Sequence, residues 1–378
     1  MILMYQIGDP KEEIMTPALI LDLDKFRWNI EKMFKFSKSS GVNIRPHAKT
    51  FKAAAICNHL IEAGAIGIMT QKLGEAEVLL NSGIIYGDKN ILISQEIADD
   101  NKLERLVGMN VAMGEEKVLT SIENAEEAIK ISKIAGKWGV KQHIIIEMTH
   151  GRCGVAPGEP TVKLAKKVVS MPNLEFRGIY GYENPVERTL ALERNKQTVE
   201  TANMIRKEGI PVEIVSAGST GTYEVTGTYP GITEIEPGSF VFGTSAYGTG
   251  YGWKTHNDAF FEPSLTVLTQ IIGANFEDRV VTDAGLKVMS GGHRSAEPPV
   301  LVKKEDNIVD VKGVSLSEEH GTIRFRDPED RANLKWGDKL EFIPSHCCTT
   351  INQHDEIKVI KDGRLAAIWP ITTRGKYY

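Results

Sequence analysis

Cysteine is scarce in this chain, with four in 378 residues, two of them adjacent at Cys347 and Cys348. So few, so placed, do not make a disulfide framework, and a reducing cytoplasm is the setting they fit best. Long apolar runs are missing too, since no stretch approaches the roughly 20 residues that span a bilayer. Met1 to Lys11 has no basic start, apolar stretch and small-residue cleavage site, so it does not read as a secretory signal. Lys and Arg form no long run and the formal net charge is -5. Nucleic acid and anionic membranes are therefore excluded as main partners, and a small molecule is expected. No repeat or low-complexity segment stands out.

What is present is an alternation. Short apolar or β-branched runs at Val42 to Arg45, Gly67 to Thr70, Ile91 to Ser94, Val118 to Ser121, His143 to Met148, Phe176 to Tyr180, Val212 to Ser216 and Thr233 to Glu236 read as strands. Between them, Thr50 to Glu62, Gly74 to Leu80, Ala125 to Ile134, Val162 to Val169 and Arg188 to Arg206 carry apolar residues three or four apart, as helices do. Eight such units in about 200 residues predict an α/β fold, a (β/α)8 TIM-like barrel. A chain of this length exceeds one core, so a second domain is expected. From about Pro263 short strands replace helical periodicity, at Leu265 to Ile272, Arg279 to Thr282, Gly321 to Arg324, Lys339 to Ile343 and Glu356 to Ile360. The expected division is an N-terminal strand in residues 1–22 pairing with the β-domain, a barrel at 23–250 and a C-terminal β-domain at 251–378, with Gly248 to Gly252 as a linker or mobile loop.

In this register Lys49, Arg152, Tyr182 and Ser216 to Gly221 all follow strands and so share the barrel rim where such folds keep their chemistry. A lysine that bonds a carbonyl must lose its proton part of the time, which burial or the nearby Arg45 would favour. A solvated lysine at a strand end reads the same way from spacing alone. Gly218-Ser219-Thr220-Gly221, with Gly238-Ser239 after the eighth strand, offers backbone N–H groups and hydroxyls suited to a phosphate, or merely to turns. His346-x-Cys348 places an imidazole and a thiol on alternate positions of an extended segment, facing one way. Two protein ligands leave a metal open to substrate, as catalysis requires, although a buried Cys347 or Cys348 is the plainer alternative. Asp283-Ala284-Gly285 and Glu318 to Gly321 are either turns or site residues, with His320 a candidate acid or base near the metal.

Arg45 to Thr50, Gly151-Arg152-Cys153-Gly154-Val155, Ser216 to Gly221, Asp283 to Gly285, Glu319 to Gly321 and Pro344-x-His346-x-Cys348, in that order, resemble the D-threonine aldolase and D-serine dehydratase family. The resemblance covers nearly the whole chain, and Trp369-Pro370 to Arg374-Gly375 looks familial as well. It implies an alanine-racemase-like fold with pyridoxal 5'-phosphate held covalently by Lys49, contacts from His47, Arg152 and Tyr182, and the phosphate on the Gly218 to Gly221 loop. It further implies a divalent metal on His346 and Cys348, and a homodimer whose site lies between the barrel of one subunit and the β-domain of the other. Family members that cleave Cα–Cβ look like His-x-Asp with manganese or magnesium; the dehydratases look like His-x-Cys with zinc, in line with ligand softness. The expected activity is therefore a cytoplasmic lyase acting on a small β-hydroxy D-amino acid. Dehydration of a D-serine or D-3-hydroxyaspartate type is put first, retro-aldol cleavage to glycine and an aldehyde second, and a non-catalytic pyridoxal phosphate carrier last.

Overall fold

The computed structural model describes residues 6–114, 116–149, 151–182, 188–243, 261–291, 299–302 and 311–378. The expected linker, Gly248 to Gly252, lies outside the described residues. Two compact units emerge: a barrel unit of residues 32–49, 56–238 and 375–378, and a β-unit of residues 1–31, 50–55 and 239–374.

After β1 (Ala18–Asp22) and α1 (Leu23–Ser40), the chain enters the barrel through β2 (Asn43–Ile44), which is followed by α2 (Ala54–Ala63). Strands β3 (Gly67–Thr70), β4 (Asn90–Ile93), β5 (Val118–Ile122), β6 (Gln142–Glu147), β7 (Leu174–Gly181), β8 (Ile214–Ala217) and β9 (Glu234–Ile235) follow. All pair in parallel, in the order β2-β9-β8-β7-β6-β5-β4-β3. Backbone bonds from Ile66 N to Ile44 O (3.0 Å) and from Met69 N to Pro46 O (2.9 Å) close the ring. The eight expected strands are thus the eight observed.

Their alternation sorts the side chains. Met69, Leu92, Leu119, Ile145, Tyr180 and Ile214, one from each strand from β3 to β8, form one buried cluster, as inward positions of a barrel must. The intervening helices are α3 (Leu73–Asn81), α4 (Asp100–Met113), α5 (Ala125–Trp138), α6 (Glu159–Val169), α7 (Arg188–Lys207) and α8 (Tyr223–Gly227). Their ends are written locally: Asp99 and Asn124 accept backbone bonds from Lys102 and Glu127, and Gly139 closes α5 in the left-handed region. The expected helix from Thr50 is interrupted. A 3-10 turn at Ala48–Thr50 comes first, and Lys52, at φ 52°, takes a left-handed backbone that no helix continues through, so α2 starts at Ala54.

The β-unit is a nine-stranded sheet. It contains β10 (Leu265–Gly273), β11 (Arg279–Thr282), β12 (Val300–Val302), β13 (Val311–Leu316), β14 (Gly321–Phe325), β15 (Lys339–Ile343), β16 (Glu356–Lys361) and β17 (Arg364–Pro370), with two short helices, α9 (Pro328–Ala332) and α10 (Cys347–Ile351). Strand β1 lies inside it, antiparallel to β10 and parallel to β16. Ile14, Ala18, Ile20, Leu268, Ile360 and Leu365 bury one another there, which fixes the register of β1, because a one-residue slip would turn its apolar face outward.

Candidate active site

Pro46 ends β2 by removing a backbone donor, and the chain then coils into the 3-10 turn that carries Lys49. Lys49 Nζ lies 5.2 Å from the centroid of the Tyr182 ring, and the Arg152 guanidinium lies 5.2 Å from the same centroid. Each cation is attracted to the ring quadrupole, yet the two repel one another. An anion among them would relieve that repulsion.

His47, two residues before the lysine, is 3% exposed, and neither ring nitrogen has a hydrogen-bond partner. Burial, then the charge on Lys49, hold its imidazole well below the usual range, so it is neutral. Glu236, just past β9, is 5% exposed. One oxygen accepts from Ser216 Oγ at 2.5 Å, and the other, Oε2, has no partner. Burial pushes this carboxyl well above the usual range, and the Glu234 charge adds to it, against the bond from Ser216 and the charges of Arg45 and Lys49. Arg45 itself is spent on Glu234, donating Nε to Oε1 at 2.8 Å and Nη2 to Oε2 at 3.1 Å.

The Gly218 to Gly221 loop joins β8 to α8. Gly218 has φ +86°, where a Cβ would lie 3.1 Å from the Thr226 side chain, whereas a Cβ on Gly221 would meet nothing nearer than Ser219 Oγ at 3.8 Å. Ser219 N donates to Thr222 Oγ1 at 3.0 Å and Thr222 N to Ser219 O at 3.2 Å. The loop is therefore a closed turn with open space over Gly221. Thr220 is buried within it. Gly238 is the last residue of this stretch of the barrel unit, and Ser239, 7% exposed, opens a 3-10 turn in the β-unit.

In the β-unit, His346 and Cys348 do not share an extended segment. His346 has extended dihedrals, φ -147° and ψ 119°, but it is the N-cap of α10, and Cys348 lies in the first turn of that helix. Cys347 is wholly buried, which turns the backbone into the helix and sets the neighbouring thiol by helical rather than strand geometry. Cys348 Sγ donates to Thr50 Oγ1 at 3.5 Å; Thr50 follows Lys49 in the chain. Hydrogen bonding from Cys347 lowers the Cys348 thiol well below its usual range, helped by His346 and Thr50 and opposed by burial. An imidazole beside a thiol inclined to ionise is a borderline-soft donor pair.

The remaining candidates fall elsewhere in the β-unit. His320 is exposed in the turn between β13 and β14, its carbonyl accepting from Ser317 N at 2.9 Å. The Asp283 carboxylate accepts from Thr16 Oγ1 (2.6 Å), Thr269 Oγ1 (2.6 Å) and Gln270 N (2.9 Å), and so anchors strands.

Sequence reasoning overlooked Glu236. The signal was there, in Glu234-Ile235-Glu236, whose alternation sends both acids to one face of β9. It also overlooked Glu96 and Glu147, which leave β4 and β6 on the same rim as Lys49.

The residues present fit pyridoxal phosphate: an amine, two cations on one ring, a roomy glycine loop and a buried carboxylate oxygen without a donor. The chain is similar to known proteins. The alanine racemase N-terminal domain family matches residues 21–246, and the serine dehydratase domain family matches residues 264–360. A 3-hydroxy-D-aspartate aldolase of Paracoccus denitrificans is 31% identical over 98% of this chain and 95% of its own length. A D-threo-3-hydroxyaspartate dehydratase of Delftia is 25% identical over 89% of this chain and 91% of its own. The crystal structure of D-threonine aldolase from Filomicrobium marinum superposes with a TM-score of 0.90 at 29% identity, covering 100% of both chains. The chain belongs to the D-threonine aldolase and D-serine dehydratase family, built on the alanine-racemase-like fold.

Proposed function

We propose that this chain is a pyridoxal phosphate- and metal-dependent lyase that dehydrates a β-hydroxy D-amino acid of the D-serine or D-3-hydroxyaspartate type, releasing a keto acid and ammonia. The observation that carries dehydration over its alternative is the donor pair His346 and Cys348 at the start of α10: an imidazole and a thiol suit zinc, where a carboxylate would suit harder ions.

Pyridoxal phosphate, when bound, supplies a sink for electrons from Cα. Lys49 Nζ holds it at rest and takes the Cα proton during turnover, since an amine is a base once free. Glu236, whose Oε2 lacks a donor in its buried pocket, would supply a counter-charge to the bound ring. Arg152 and Tyr182 orient the ring, and neutral His47 walls off water without adding charge. Ser219, Thr220 and Gly221, with Gly238 and Ser239, hold the phosphate. His346 and Cys348 would hold a divalent ion, which would supply Lewis acidity. His320 is kept as a candidate proton carrier; its exposed turn allows it to exchange protons with solvent. A homodimer and a cytoplasmic location complete the proposal, the latter in keeping with only four cysteines in 378 residues.

A second reading has its own support. Aldolases stand at 31% and 29% identity against 25% for the dehydratase, and the same residues would serve cleavage of Cα–Cβ. Product analysis separates the two. Metal-dependent ammonia and keto acid from D-serine or D-threo-3-hydroxyaspartate support dehydration; glycine and an aldehyde from D-threonine, without ammonia, overturn it.

A further inference from the structure

We propose that Glu96, Glu147 and Cys153 form a separate binding site for a divalent cation of borderline softness, within the barrel unit. Each offers one ligand atom, and these atoms all lie within 4.8 Å of one another. Glu147 ends β6, Glu96 follows β4, and Cys153 sits in the loop after β6.

That loop is built rather than loose. Thr149 N donates to Val155 O at 2.8 Å and Val155 N to Glu147 O at 2.9 Å, folding the segment back on its own strand. Gly154, at φ +102°, makes the return possible, because a Cβ there would sit 2.8 Å from the Met148 backbone. Cys153 is thereby delivered to Glu147, with Sγ 3.6 Å from Oε1. A tetrahedral ion with sulfur at about 2.3 Å and oxygen at about 2.1 Å holds those two atoms about 3.6 Å apart.

A ligand is independently called for by Glu147. Its side chain is 3% exposed, and its Oε2, like the buried Oε1 of Glu96, accepts from no N–H or hydroxyl of the described residues, the two acids facing one another. Without a cation the crowded acids hold protons instead. Burial, then the Glu96 charge, push Glu147 up to about 8, and burial with the Glu147 charge pushes Cys153 up to about 11. The Arg152 guanidinium lies 3.7 Å from Glu147, but its side chain is 56% exposed, so solvent screens its charge. One thiolate and two carboxylates match zinc or cobalt(II) rather than magnesium or calcium.

The proposal does not depend on His346 or Cys348, so one experiment separates the two readings. Holoenzyme carrying Cys348→Ser is dialysed against Co2+. Retention of about one equivalent, with the near-ultraviolet thiolate-to-cobalt absorption, is expected, and adding Cys153→Ser removes the absorption. Glu147→Gln in the same background weakens binding about tenfold or more. If these variants do not fold, X-ray absorption of the Cys348→Ser parent decides, one sulfur with oxygen neighbours supporting the site. No bound cobalt, cobalt absorption indifferent to Cys153→Ser, or a carboxylic acid infrared band that persists at saturating cobalt would overturn it. Lyase activity of the Cys348→Ser protein reports on the catalytic reading alone.

Discussion

In the barrel unit Glu236, Glu147 and His47 are each no more than 5% exposed, and each keeps a polar atom without a hydrogen-bond partner. In the β-unit the polar candidates are satisfied: Cys348 has the Thr50 hydroxyl, and Asp283 has three donors. An unmet buried polar atom costs roughly 1–3 kcal/mol. The three barrel residues therefore carry unmet polar atoms that a bound ligand can satisfy, and Cys348 and Asp283 do not. Ligand binding should stabilise the first unit more than the second, and substitutions should hurt activity and stability in different proportion in the two.

The largest effect falls on Lys49. Lys49→Ala should abolish the visible-range absorption of lysine-bound cofactor and cut turnover by at least about 1000-fold; survival of the band in the purified variant would remove the barrel from the comparison. Glu236→Gln keeps the shape and a hydrogen bond to Ser216 but cannot carry the negative charge that a protonated ring nitrogen needs. Turnover should fall on the order of 100-fold, with a shifted cofactor spectrum and little loss of stability. On the β-unit side, Cys348→Ala, or a chelator, should lower ammonia release about tenfold or more while the cofactor band is unchanged. A band lost along with activity would show that the thiol serves the cofactor rather than a metal.

The smallest effect concerns stability and pH. Glu127 is buried at the first turn of α5, where it accepts from Ile97 N at 2.7 Å, and burial raises its carboxyl from 4.5 to about 7. The folded chain keeps this proton when the unfolded chain has already lost it. The contribution is thus fully present below about 4.5, and falls away as pH rises to about 7. Glu127→Gln should flatten that fall by up to about 3 kcal/mol in denaturant titrations, the ceiling set by 1.36 kcal/mol per pKa unit. An unchanged slope would show that the barrel's buried acids are less strained than their surroundings indicate.

The strands of the barrel were legible because parallel strands buried on both faces are nearly continuous apolar runs, such as Ile144-Ile145-Ile146. Helix α4 was not, because its core-facing stripe of Leu103, Leu106 and Val107 ends on a buried polar residue, Asn110, which breaks the apolar period. Strands β13 and β17 were missed for a related reason: most of their residues are half-buried or exposed, so they lack a strong two-residue alternation. Lys49 and the glycine loop could be placed once the strands were counted. Glu96 and Glu147 could not be paired, since 51 positions of chain separate them and only barrel closure unites their strands. The geometry of His346 and Cys348 escaped for a local reason, the burial of Cys347, which no spacing rule reports.

The buried Arg45 has a dynamic consequence. Strands β2 and β9 are two residues long, yet Asn43 N, Arg45 N and His47 N donate across the seam to Thr233 O (3.1 Å), Ile235 O (3.0 Å) and Pro237 O (3.2 Å), and the Arg45 to Glu234 fork lies across it as well. Removing one partner of such a buried pair typically costs about 3–5 kcal/mol. The fork thus bolts the seam immediately ahead of the turn that presents the reactive amine, and slow amide exchange around Ile44 and Ile235 would report whether the bolt is holding.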